Sequence, residues 1–163
     1  MEQIKQTVED GSVQVSEMVA AIIGTQTQEI DSYVDQVRTL FLSNCDIPDA
    51  DLDKIILQIP VLIFHLIRVL QEIDIRKGVA SESAKFSEHE ALMEATGTVS
   101  EKQAKASNAT IKNRIVGLAY KSASSLIQAK INAAMEILSS AKKVQQRRLE
   151  EMRLTKLGAN AVG

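Results

Sequence analysis

Residues 55–70 read IILQIPVLIFHLIRVL, with aliphatic or aromatic side chains at twelve of sixteen positions. A half-buried strand alternates apolar and polar residues, and a surface helix carries one apolar arc. This run is apolar on every side, so it predicts a helix that is contacted all round. Gln58, His65 and Arg68 interrupt it, and Glu72 and Asp74 follow. A membrane span needs about twenty nearly uninterrupted apolar residues, and each charge at the bilayer centre costs about 2.5–3.5 kcal/mol, so the pattern predicts a soluble seam and no membrane. Pro60 has no N–H, and its ring meets the carbonyl of residue 56. It should kink the helix or mark its first turn.

The pattern elsewhere is also helical. Ile4, Val8, Val15, Met18, Val19, Ile22 and Ile23 share one stripe, with Gly11 interrupting the first turns and GTQTQ at 24–28 breaking it again. Ile30, Tyr33, Val34, Val37, Leu40 and Phe41 make a second stripe at spacings of 3 and 4. The stretch SNCDIPDAD carries boundary signals, and a helix should start at about Asp49, whose carboxylate would accept an orphan N–H. Residues 72–97 turn polar and small and are expected to be mobile, either continuing as helix past Gly78 or breaking into a flexible connection; within 81–95 only Phe86, Leu92 and Met93 are there to bury. Ser100 and Gln103 have capping-box spacing, with Glu101 in the first turn. From there to about Leu157 nothing stops a helix, which would extend for about 85 Å.

The implied fold is all-α: an elongated antiparallel helical hairpin or bundle with a long C-terminal helix, assembled as a homo-oligomer. An acidic N-terminal helical segment, 1–44, precedes the hairpin at 45–163. Intramolecular packing covers one face of residues 55–70, so sister chains are expected to cover the rest through Ile56, Ile59, Ile63, Phe64 and Ile67. Scarce glycine and proline, seven and two in 163 residues, and the absence of Trp fit long helices.

Charge adds a second feature. Residues 1–100 hold 7 Lys or Arg against 17 Asp or Glu, net −10, and residues 101–163 hold 12 against 4, net +8. Either one half meets a polyanion, or acidic and basic surfaces pair between subunits. Lys142, Lys143, Arg147 and Arg148 occupy neighbouring helical rows that Arg153 and Lys156 continue. Such a row can follow the phosphates of a nucleic-acid strand by displacing counterions. No aromatic residue follows Tyr120, so base stacking has no platform there.

Catalytic chemistry finds no footing. There is no phosphate-binding glycine loop, no Cys-x-x-Cys pair and no His-Glu-x-x-His. The acids after Asp46 lack the glycine and glutamate of a calcium loop. Cys45, the single cysteine, has no His or Asn signature beside it, and His65 is expected in the core with no second ligand. The sequence therefore predicts no enzyme, no cofactor and no metal, and a reducing cytoplasm as the compartment.

LIRVLQEIDIRKG, a polar connection, and a long helix ending in INAAMEILSSAKKVQQRRLEEMR together resemble the UvsY-like recombination mediators of tailed phages. The resemblance covers roughly residues 49–153 and lies in architecture and charge placement; the tyrosines that should follow the first basic stretch are absent. It implies a ring-forming helical protein that binds single-stranded DNA in the host cytoplasm and helps load a recombinase onto strands coated by a single-strand-binding protein. It also implies that Arg68, Arg76 and Lys77 meet the strand. The competing reading is a protein-only scaffold, chaperone or virion assembly component.

Overall fold

The computed structural model describes the backbone of residues 2–43 and 47–160 and the side chains of 11–43 and 47–157. Among the described residues four helices follow one another: α1 (Glu2–Ile23), α2 (Gln28–Leu42), α3 (Asp49–Glu94) and α4 (Val99–Asn160). No strand occurs among the described residues. Cys45, Asn44 and Asp46 of the expected linker lie outside them, as do the side chains of Ile4 and Val8.

Several expectations about the elements are corrected. Helix α1 runs through Gly11 unbroken, and the break falls at 24–27. There the Gly24 N–H donates to the Ala20 carbonyl at 2.8 Å, and a β-carbon on Gly24 would sit 2.7 Å from that oxygen. Pro60 lies inside α3, so of the two expectations for it the first-turn one is excluded. The helix begins where expected, and the N–H groups of Asp51 and Leu52 donate to the Pro48 carbonyl at 3.0 and 3.1 Å. Asp49 instead turns to Arg148. The stretch expected to be mobile is helical to Glu94.

The α3–α4 turn is short. Gly97 takes φ +121°, a left-handed conformation that favours glycine. The capping box lies two residues before its expected place, at Thr98 and Glu101: the Glu101 N–H donates to the Thr98 hydroxyl at 3.4 Å, and the Thr98 N–H donates to the Glu101 carboxylate at 2.8 Å.

The chain divides into two compact units, one of Met1–Thr27 with Arg68–Gln128, the other of Gln28–Ile67 with Ala129–Gly163. The first packs α1 with the C-terminal part of α3 and the N-terminal part of α4. Its α3–α4 pairing is antiparallel, shown by Asp74 to Ser124, Ser87 to Asn113 and Glu88 to Arg114. Ile23, Val69, Ile73, Ala119, Ala123 and Ile127 are its core. Towards the turn the interior becomes small and polar, with Ala106 and Thr110 buried and the Thr110 hydroxyl donating to the Ser107 carbonyl at 2.9 Å.

The second unit packs α2, the start of α3 and the end of α4 around Ile30, Val37, Leu52, Ile55, Ile59 and Leu66. Ala134 and Ala141, both fully buried, let the helices approach closely. Asp53 with Gln145 and Asp49 with Arg148 set the antiparallel α3–α4 register. Lys130 pairs with Asp31 across the α2–α4 contact. In both units, therefore, acids from the first hundred residues meet bases of α4 inside a single chain.

Candidate nucleic-acid interface

The seven candidate cations are divided between the units. Arg68, Arg76 and Lys77 belong to the first, and Lys142, Lys143, Arg147 and Arg148 to the second. Arg68 is exposed. Arg76 donates to Glu72 at 2.6 Å, and hydrogen bonding to Tyr120 first, then to Glu72, pushes its pKa up. Lys77 reaches Asp74 at 3.4 Å. Two of the three basic positions implied by the resemblance thus already hold carboxylates on their own helix.

On α4 the cations separate by role. Arg148 is a bracing residue: its guanidinium donates to the Ile47 carbonyl at 2.5 Å and to Asp49 at 2.7 Å, with its side chain only 23% exposed. Of the expected strand-following row, Arg148 is thus the member engaged by the start of α3. Lys142 and Lys143 are exposed, and among the described residues neither is held in an ion pair. Arg147 meets Glu151 at 3.3 Å, but its side chain is 82% exposed. Such a pair is worth about 0–1 kcal/mol and yields easily to another anion.

At 100° per residue, Lys142, Lys143, Arg147 and Arg153 fall within about 140° of the helix circumference. Ala141, Gln145 and Arg148, which face the rest of the unit, occupy the opposite side. Glu150 lies within the cationic arc and Glu151 at its edge. The arrangement can hold an extended polyanion loosely and offers no pocket for a base.

The α3 residues expected to meet sister chains differ in exposure. Ile59 is fully buried within its own chain. Ile56 and Ile63 are half-buried, while Phe64 and Ile67 are exposed. The residues that project furthest are Leu57, Val61 and Phe64, at 70%, 68% and 67% exposure. Leu57 and Val61 were missed; their spacing of four from each other and of two from the core positions 55 and 59 is the signal that finds them. Beside them a groove of about 560 Å³ is lined by Tyr33, Gln36, Leu57, Gln58, Val61 and Leu62. Burial first, then the charge of Asp51, pushes the Tyr33 phenol up.

His65 is exposed, not in the core. Among the described residues no group of three His, Cys, Asp or Glu side chains could hold a metal ion. Helix α3 is long and apolar enough to cross a membrane by length and composition, with a mean hydropathy of 1.6 over 18 residues of which 17% are buried. No protein-family model, curated protein or solved structure matches the chain.

Proposed function

We propose that this chain is a non-enzymatic helical protein that self-associates and binds single-stranded nucleic acid along the outer arc of α4. Its role would be accessory to phage-type DNA recombination or replication in the host cytoplasm, with a recombinase or single-strand-binding protein as partner, as the resemblance to the UvsY-like mediators implies. The observation that supports binding is the exposed set Lys142, Lys143, Arg147 and Arg153, turned away from the packed side of its unit. Phosphates repeat along a strand, and cations released from few intramolecular partners gain most by replacing its counterions. Without aromatic platforms the binding would be indifferent to sequence.

Titration of a fluorescent oligonucleotide at several salt concentrations tests this. Four phosphate contacts predict that log K falls with log salt at a slope of about −3. Replacing Lys142 and Lys143 by alanine should flatten the slope by about 1.4. No binding at low ionic strength, or a slope near zero, refutes the proposal. The second reading, a protein-only scaffold, draws support from the exposed Leu57, Val61 and Phe64. It predicts salt-dependent assembly with no affinity for oligonucleotide.

A further inference from the structure

In the first unit the large buried side chains, Ile23, Val69, Ile73 and Ile127, gather with the fully buried Ala119 and Ala123 at the level where Asp74 meets Ser124. From that layer the α3–α4 hairpin runs on through its turn, residues 74–118. Among these described residues only Ala95, Ala106 and Thr110 are buried. The large apolar residues of the arm face outward instead: Ile75, Val79, Phe86, Met93 and Val99 are 65–76% exposed, and Ile115 and Val116 near its base are half-buried. Across the arm Asn113 donates to Ser83 and Ser87 at 3.4 and 3.2 Å, and Arg114 meets Glu88 at 3.8 Å. An ion pair this exposed adds little. Helices draw most of their stability from packing, and this arm has few side chains to pack.

Each helix also carries a glycine where the arm joins the layer, Gly78 in α3 and Gly117 in α4. A β-carbon built on either would meet nothing within 4 Å, so packing does not call for glycine at these places. Inside a helix glycine is unfavourable relative to alanine. Both helices are therefore weakened at the base of the arm with no compensating contact.

We infer that residues 78–117 melt and re-form as one unit, α3 unwinding back to Gly78 and α4 back to Gly117, while the layer of Val69, Ile73, Ala119, Ala123 and Ile127 stays closed. Melting frees little apolar surface, because most large side chains of the arm already face solvent. Anything that binds only the closed arm suppresses its melting, so order there is coupled to binding. This device goes beyond the strand contact proposed above and stands or falls separately from it.

Amide hydrogen exchange of the full chain, resolved by peptide, tests it. Amides of 80–115 should be protected about 100-fold less than those of 119–127. Ile127→Val trims the closed layer and should speed exchange at 119–127 about fivefold. It should leave the arm's rate unchanged, because the arm opens without that layer. Gly78→Ala/Gly117→Ala should slow exchange in the arm about twentyfold, since only the helical state gains from alanine. Equal protection of arm and layer, an arm that speeds up with Ile127→Val, or an arm indifferent to the glycine substitutions overturns the inference.

Discussion

Arg148 and Lys143 lie five residues apart on one helix and carry the same charge, yet substitution should separate them completely. In Arg148→Ala the Ile47 carbonyl loses a charged donor at 2.5 Å and Asp49 loses its partner at 2.7 Å. A hydrogen bond to a charged group is worth about 1.5–3 kcal/mol. Asp49 is 69% exposed, so solvent screening leaves the ion pair itself about 0–1 kcal/mol. Together these give a loss of about 2 kcal/mol, which for a chain of this length lowers the melting temperature by about 4–8 °C. Thermal unfolding followed by circular dichroism measures the loss, and oligonucleotide anisotropy below the transition measures binding. Arg148→Ala should melt early and bind with an unchanged salt slope. Lys143→Ala should melt with the parent and bind with a slope shallower by about 0.7. An Arg148→Ala protein that melts with the parent but binds weakly would place Arg148 on the strand and refute its assignment as a brace.

Three further outcomes follow from the packing. Ile59→Ala should destabilise by about 2–5 kcal/mol in urea unfolding, since Ile59 is fully buried, whereas Val61→Asp, two residues along and 68% exposed, should change stability by no more than about 0.5 kcal/mol. Equal losses for the two would show that the helix faces are misassigned. Gly97→Ala should cost about 1–3 kcal/mol in the same assay, because the backbone there holds φ +121° and the new methyl would run into the Glu101 carboxylate; an unchanged unfolding midpoint would refute the turn geometry. The Glu101 carboxyl is held below its ordinary 4.5 by the Thr98 backbone N–H first and the Thr98 hydroxyl second. A depressed folded pKa means that the cap's contribution is complete above pH 4.5 and is lost as pH falls through the lower folded value. Glu101→Gln should flatten that part of the stability–pH curve, and a curve superimposable on the parent's would rule out the cap as its source.

The long helices were legible because composition offers few places to stop them. Pro48 with Asp49 marks one start, and Gly97 with the Thr-x-x-Glu that follows marks the other. The details that misled have local causes. Thr98-x-x-Glu101 and Ser100-x-x-Gln103 are overlapping capping boxes, and only the left-handed backbone at Gly97 decides between them. Residues 78–94 have little to bury by their own content, but α4 faces them with Ala106, Thr110 and Asn113, and small side chains on both helices allow close approach. Helicity there accords both with the segment's own propensity and with a partner surface that the segment alone does not reveal.

The register of α3 was illegible for the opposite reason. Where residues 55–70 are apolar at every angle, periodicity does not choose a face, and the choice is made by the fully buried Ala134 and Ala141 of α4 in the same unit. Once that face is chosen, Ile59 turns inward and Leu57, Val61, Phe64 and, less fully, Ile67 are left outside, so the apolar surface expected to meet sister chains narrows to these four residues. The charge division narrows likewise. Part of it is used inside the chain, by Asp31 with Lys130, Asp49 with Arg148 and Glu88 with Arg114. The outer arc of α4, where Lys142, Lys143, Arg147 and Arg153 are exposed, is the surface on which the proposed strand contact rests.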